Sequence, residues 1–306
     1  MVSVNNGQSY HVNIVTTDQA IRYADVIFIT MPTDGHPSII AAFKKHDLSR
    51  KVVIVLPAGY FPAIAKAQGC SRPGALVVMA NSPYACSKST DTDTNIGGTK
   101  ALLQGAGCGT LFNTGLKNKI DQMLEGTSIQ WWSTMISICL TSANVLMHPA
   151  AMLAAQDEIM ASYPVSFYGY AVPKASDTIM ATDDEVTKIA TELGVHHEGL
   201  LDLLASWYGV EGDDLSMVVR SVPAYRGLNA PATIHNQRLL GNEDIPLLVV
   251  VSLIAGLLNL DVPAMETTID KACHVLQQNF WNGPLTLATL GISDNATPEQ
   301  IKAAFA

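Results

Sequence analysis

An α/β chain, with an incomplete doubly wound parallel sheet followed by an all-helical C-terminal domain, is the fold class that the sequence predicts. Three observations carry it. Residues 1–124 contain three continuous apolar, largely β-branched runs, Asp25–Met31, Lys51–Leu56 and Ala75–Met79, separated by helix-length segments. From about Gly126 strand signals almost vanish and helical patterns take over. The chain has 306 residues, 48% hydrophobic and 15% charged, which suffices for about two buried cores and excludes a disordered chain.

Near the N-terminus, Asn5-Asn6-Gly7 is a turn signal. The run DVIFITM reads as a strand covered on both faces, ended by Pro32-Thr33-Asp34-Gly35 and followed by a helix over Pro37–Lys45. KVVIVL is the second strand, closed by Pro57-Ala58-Gly59, with a short helix over Pro62–Gln68. ALVVM is the third. Strands joined through helices require right-handed crossovers and a parallel sheet, here of Rossmann type. Such sheets bind ligands beyond the carboxyl ends of their strands. Those ends are Met31-Pro32-Thr33, Pro57-Ala58-Gly59 and Asn81-Ser82. A dinucleotide-binding sheet normally opens with a strand, a GxGxxG turn and a helix. This sequence contains no GxGxxG, and Gly105-Ala-Gly107-Cys-Gly109 stands in the wrong context, reading as a helix C-cap and loop. The sequence therefore enters the plan partway. Asp91-Thr-Asp93 reads as a solvated loop.

The second part, residues 125–306, carries helical patterns over Ser133–Leu146, Ala150–Ala161, Asp183–Leu193, Leu200–Tyr208, Leu247–Leu260 and Ala264–Asn279. Leu247–Leu260 is the most apolar, yet shorter than the ~20 residues that span a bilayer, so it reads as a buried core helix.

Composition excludes several functions. With 18 Lys+Arg against 27 Asp+Glu and a net charge of −9, the chain offers neither nucleic acid nor an anionic membrane a basic footprint. Five cysteines, an odd number with no CxxC pair, fit reduced thiols in the cytoplasm, and the N-terminus has no signal-peptide pattern. Walker A, HExxH and GxSxG motifs are missing. His196-His197 lack the spacing to share a metal on a helix and read as an exposed helix start. No metal is expected. His36 reads as helix-start polarity, and Trp131-Trp132, Trp207-Tyr208 and Phe280-Trp281 as packing, with Trp207 or Tyr208 as alternative pocket residues.

The segment Asn144-Val-Leu-Met-His148-Pro149 is the most unusual. Proline biases the residue before it away from the helix, so Pro149 is expected to start a new helix with His148 at its N-cap. Such a histidine, balanced between helix dipole and a carboxylate, suits general acid/base work near neutral pH. Pro223-Ala-Tyr225-Arg226-Gly227 forms a loop, and Arg238 to Asp244 leads into the most apolar helix, where Glu243 and Asp244 place charge on the first turn.

NVLMHP, PAYRG, the Arg238…Glu243-Asp244 stretch and Gly283–Gly291 occur here in the order found in the opine dehydrogenase family, which the chain resembles from about Ile14 to Ala306. TTDQAIRYADVIFITMP, VVIVLPAG and Ala85-Cys86 extend the likeness, most closely to N-(1-carboxyethyl)-norvaline dehydrogenase. The resemblance implies an NAD- or NADP-dependent enzyme that condenses an amino acid with a 2-oxo acid such as pyruvate. It places the catalytic histidine on His148 and its partner on Asp244. Substrate binding falls to Arg238, Tyr225 and Asn144, and cofactor binding to Met31, Pro32, Pro57, Gly59 and Asn81. The spacing from Arg238 to Asp244 is one residue longer than the family pattern, and Ser87 stands in place of an arginine. A homodimer is expected, because an incomplete sheet leaves an apolar edge near Asp25–Met31. The alternative is a non-catalytic relative that binds a small molecule or a partner without a dinucleotide.

Overall fold

The computed structural model describes every residue except Met1, Asn5, Asn6, Ser89, Asp91 and Asn236, with the backbone alone described at 2–4, 8, 87, 88, 237 and 238. The turn expected at Asn5-Asn6-Gly7 and the loop from Asp91 thus lie in part outside the described residues.

The principal sheet contains the three expected strands. Numbering strands along the chain, β1 is Val2–Val4, β2 Gln8–Tyr10, β3 Val26–Ile29, β4 Val52–Val55, β5 Ala75–Met79, β6 Tyr84–Lys88, β7 Asp93–Thr99, β8 Leu102–Cys108 and β9 Ser128–Trp131. Five of them form the order β3-β4-β5-β8-β9. The pairs β3–β4 and β4–β5 are parallel, β5–β8 is antiparallel and β8–β9 is parallel. Side chains alternate between two cores: Val53, Val55 and Val78 face one and Val52, Ile54, Val77 and Met79 the other. Burial on both faces explains why these strands read as unbroken apolar runs. β3 is an edge among the described strands, with Phe28 exposed on it.

Two features differ from expectation. Gly105-Ala-Gly107-Cys-Gly109 is no helix cap: its first four residues end β8. A Cβ at Gly107 would lie 2.7 Å from the Leu76 carbonyl oxygen and 2.8 Å from Phe112, so close packing between strands, rather than phosphate binding, explains a glycine there. A second sheet, β2-β1-β7-β6, forms from strands with no continuous apolar run, β7 mixing Thr94, Ile96 and Thr99 with Asp93, Asn95 and Gly97-Gly98. The principal sheet also runs past the expected limit at residue 124, because β9 is its last strand.

Helices α1 (Thr17–Tyr23), α2 (His36–Phe43) and α3 (Phe61–Ala67) alternate with β3–β5, and α4 (Thr114–Met123) covers the other face. Thr16 caps α1 in a reciprocal capping box with Gln19. The helical part comprises α5 (Met135–Leu140), α6 (Ala143–Ala154), α7 (Gln156–Met160), α8 (Val172–Lys174), α9 (Ser176–Leu193), α10 (Leu200–Tyr208), α11 (Leu215–Ser221), α12 (Asp244–Leu257), α13 (Pro263–Leu276) and α14 (Pro298–Ala304). The break expected between His148 and Pro149 falls instead at Thr141-Ser142, and Pro149 lies inside α6. Proline at an interior position forfeits one helical bond, which the buried surroundings of α6 outweigh. Met135–Ala154 and Leu239–Leu257 are apolar and long enough to cross a membrane, but both are mostly buried within the protein. The five cysteines are free.

Candidate active site

His148 sits in the middle of α6 rather than at an N-cap, and Asp244 is the first residue of α12. The helices pack together, and His148 Nδ1 meets Asp244 Oδ2 at 2.9 Å, with both side chains buried. A carboxylate only accepts, so this bond assigns the proton to Nδ1 and the lone pair to Nε2. Nε2 has no hydrogen bond to the described residues, and the ring is set edge-on to Phe167 at 5.6 Å. An imidazole held in one tautomer with its other nitrogen open to a cleft can accept and return a proton.

The cleft, about 550 Å³, lies beyond the carboxyl ends of β3, β4 and β5. Met31, Pro32, Pro57, Asn81 and Ser82 line its sheet side; Asn144, His148, Tyr168, Tyr225, Arg226 and Glu243 line its helical side; Cys86, Lys100, Trp207 and Tyr208 complete the wall. Gly59 lines a smaller adjoining pocket together with Asp244 and Glu243. Its φ of +49° and the 2.9 Å separation between an added Cβ and Thr33 Oγ1 suit only glycine.

Tyr225 is buried and stacks on Tyr168, with centroids 3.7 Å apart and planes 7° from parallel. Burial pushes its phenol well above the usual range and that of Tyr208 up to about 12. Both residues line the cleft, and their hydroxyls stay neutral and bond to each other. Arg238 lies in the wide helical turn Gln237–Gly241, which packs on α6 and leads to α12; its side chain is outside the described residues.

Sequence reasoning missed Lys100, Tyr168 and Cys86 as cleft residues. A single lysine between two strands follows no periodic pattern. The expected exposure of His197 is also corrected: its side chain is buried, bonded to Thr141 Oγ1 at 3.2 Å and Asp183 Oδ1 at 3.3 Å. No metal-binding cluster is present among the described residues. His36 is buried at the start of α2, where desolvation pulls its imidazole down to about 4.

A nicotinamide nucleotide fits the sheet side. Pro32 and Pro57 form an apolar wall, Asn81 supplies an amide, and in the adjoining pocket Thr33 Oγ1 is buried with no hydrogen bond among the described residues. No residue here is assigned to the pyrophosphate, because the sequence has no glycine-rich turn.

Residues 131–276 match the family model described as NAD/NADP octopine/nopaline dehydrogenase, alpha-helical domain. That matched stretch carries His148 and Asp244 and forms the helical side of the cleft, so the chain is similar in this part to NAD(P)-dependent oxidoreductases. Vitopine synthase of Allorhizobium ampelinum is 29% identical over 290 residues, covering 93% of this chain and 79% of its own length. An octopine dehydrogenase solved with NADH and L-arginine superposes with a TM-score of 0.72 at 17% identity, covering 90% of this chain and 78% of that one. A yersinopine dehydrogenase solved with NADP+ gives 0.66 at 14% identity, covering 95% and 81%. The helical part of the chain is thus similar to the helical domain of the octopine/nopaline dehydrogenases, and the chain along most of its length to vitopine synthase.

Proposed function

We propose that the protein catalyses the NADH- or NADPH-dependent condensation of an amino acid with a 2-oxo acid such as pyruvate, giving a secondary-amine dicarboxylate. The observation that carries this reading is the buried 2.9 Å His148–Asp244 pair opening onto the strand-end cleft. His148 Nε2 takes a proton from the substrate ammonium, freeing the amine to attack the keto carbon. The same nitrogen returns a proton to the departing hydroxyl as water is lost. Asp244 holds the imidazole in orientation and stabilises its protonated form. The bound nicotinamide supplies the hydride.

Arg238 pairs with a substrate carboxylate, which a planar guanidinium binds in bidentate fashion. Tyr225 and Asn144 position the substrate, and Met31, Pro32, Pro57, Gly59 and Asn81 hold the nicotinamide end of the cofactor. The open β3 edge supports a homodimer. The test is oxidation of NADH and NADPH with pyruvate and a panel of amino acids. Oxidation that needs both acid and amine is expected, with a KM raised about tenfold or more in Arg238→Ala. Oxidation with the oxo acid alone, at an equal rate, overturns the reading.

A further inference from the structure

Lys100 is 4% exposed and lines the cleft. Its backbone is fixed on three sides: N–H donates to the Pro83 carbonyl at 2.8 Å, the carbonyl accepts from Thr127 Oγ1 at 2.8 Å, and the next N–H, of Ala101, donates to the Trp207 carbonyl at 2.9 Å. The side chain is fixed too. Nζ donates to the Ser82 carbonyl at 2.9 Å and lies 5.0 Å from the Trp207 ring centroid and 5.7 Å from that of Tyr208.

One carbonyl and two aromatic faces hold an ammonium but leave its charge uncompensated. No carboxylate pairs with Nζ among the described residues. A buried charge ordinarily requires a partner. The cleft's other described cation, Arg226, is exposed, so water satisfies it.

We propose that Lys100 is a second carboxylate anchor in the cleft, holding the substrate carboxylate that Arg238 does not. The proposal rests on the opine-forming reading, since joining an amino acid to a 2-oxo acid gives two carboxylates and one arginine engages one of them. The 2-oxo acid's carboxylate is bonded directly to the reacting carbon and the amino acid's to the carbon that bears the reacting nitrogen, so fixing either at Nζ places a reacting atom within one or two bonds of the anchor. Ser82 ends the sheet side of the cleft, so the anchor stands on the sheet side, with His148 on the helical side. Burial brings the ammonium down to about 8, so it can still be charged at neutral pH but is lost in mild alkali. The other titratable and charged groups sharing this cleft are Cys86, Tyr84, Tyr168, Tyr208, Tyr225, Glu243, Arg226 and His148.

The test compares two probes sharing a secondary amine, iminodiacetate with two carboxylates and N-methylglycine with one. Binding is read from tryptophan fluorescence at saturating NADH, since Trp207 lies beneath Nζ. The parent is expected to bind iminodiacetate about 10–100-fold more tightly, in line with one charge-assisted bond. Lys100→Met should abolish this preference and Lys100→Arg restore most of it. In the unsubstituted protein, the preference should fall between about pH 7 and about pH 9.5, and should fall equally in Cys86→Ser. Steady-state arms locate the anchor: Lys100→Met should raise KM about tenfold or more for either the oxo acid or the amino acid, and leave the other within about threefold. No preference in the parent, an undiminished preference in Lys100→Met, or a pH-independent preference overturns the anchor. If the anchor tests succeed while the parent fails to need both substrates, it is the opine-forming reading that fails.

Discussion

Replacing His148 with asparagine separates chemistry from structure better than the customary alanine. Alanine strands the Asp244 carboxylate, 2% exposed, without its 2.9 Å partner. Breaking a buried pair in this way costs about 3–5 kcal/mol of stability, so an inactive alanine variant could simply be unfolded. The asparagine amide nitrogen occupies nearly the position of imidazole Nδ1 and can donate to Asp244 Oδ2. The fold should then lose no more than about 1–2 kcal/mol, the difference between a charge-assisted bond to a ring and one to an amide plus some lost ring packing. Nothing replaces Nε2, so proton transfer is lost. Removing a general acid/base costs about 10²–10⁴-fold in rate. That corresponds to roughly 3–5 kcal/mol of barrier. Urea unfolding measures the first quantity and amine-dependent NADH oxidation the second. A variant that folds and turns over within about threefold of the parent rate would refute the assignment of Nε2 as the proton carrier.

Two further outcomes concern the framework. Gln104 on β8 accepts from Trp207 Nε1 at 3.0 Å and donates to Glu198 Oε2 at 2.7 Å and Ser206 Oγ at 3.2 Å. Gln104→Leu orphans these groups and should cost about 2–4 kcal/mol, lowering Tm by roughly 5–10 °C; a change below about 0.5 kcal/mol contradicts the network's importance. His36, held down to about 4 against an ordinary 6.5, stays neutral in the fold while the unfolded chain takes up a proton. Stability should therefore be full above pH 6.5 and decline as pH falls toward about 4, by up to about 3 kcal/mol, and His36→Leu should remove that decline. Parallel pH profiles for parent and variant count against it.

The three parallel strands were legible because burial on both faces demands continuous β-branched runs. β8 was hidden by its own packing: Gly107, close against Leu76 and Phe112, and Gly105, close against Ile129, carry no strand propensity. The small sheet was hidden because none of its strands is a continuous apolar run: β7, seven residues long, carries Asp93, Asn95 and Gly97-Gly98. The His148–Asp244 pair joins residues 96 positions apart, and periodicity cannot reveal that; order of motifs and family resemblance could. Pro149 pointed to a helix boundary that tertiary packing moved to Thr141-Ser142. Lys100 stood at a strand end with no local signal beyond being a lysine in an apolar neighbourhood.

The seam where Ala101, just before β8, donates to the Trp207 carbonyl and Gln104 of β8 accepts from the indole of the same residue fastens β8 to α10 at one margin of the cleft. The opposite side is fastened as well: the Tyr60 hydroxyl, just before α3, donates to the Leu247 carbonyl of α12 at 3.2 Å. His148 and Asp244 sit on helices that pack together, one of them tied directly to the sheet part, so the acid/base pair and the strand ends are held in one register by bonds that do not involve the pair itself.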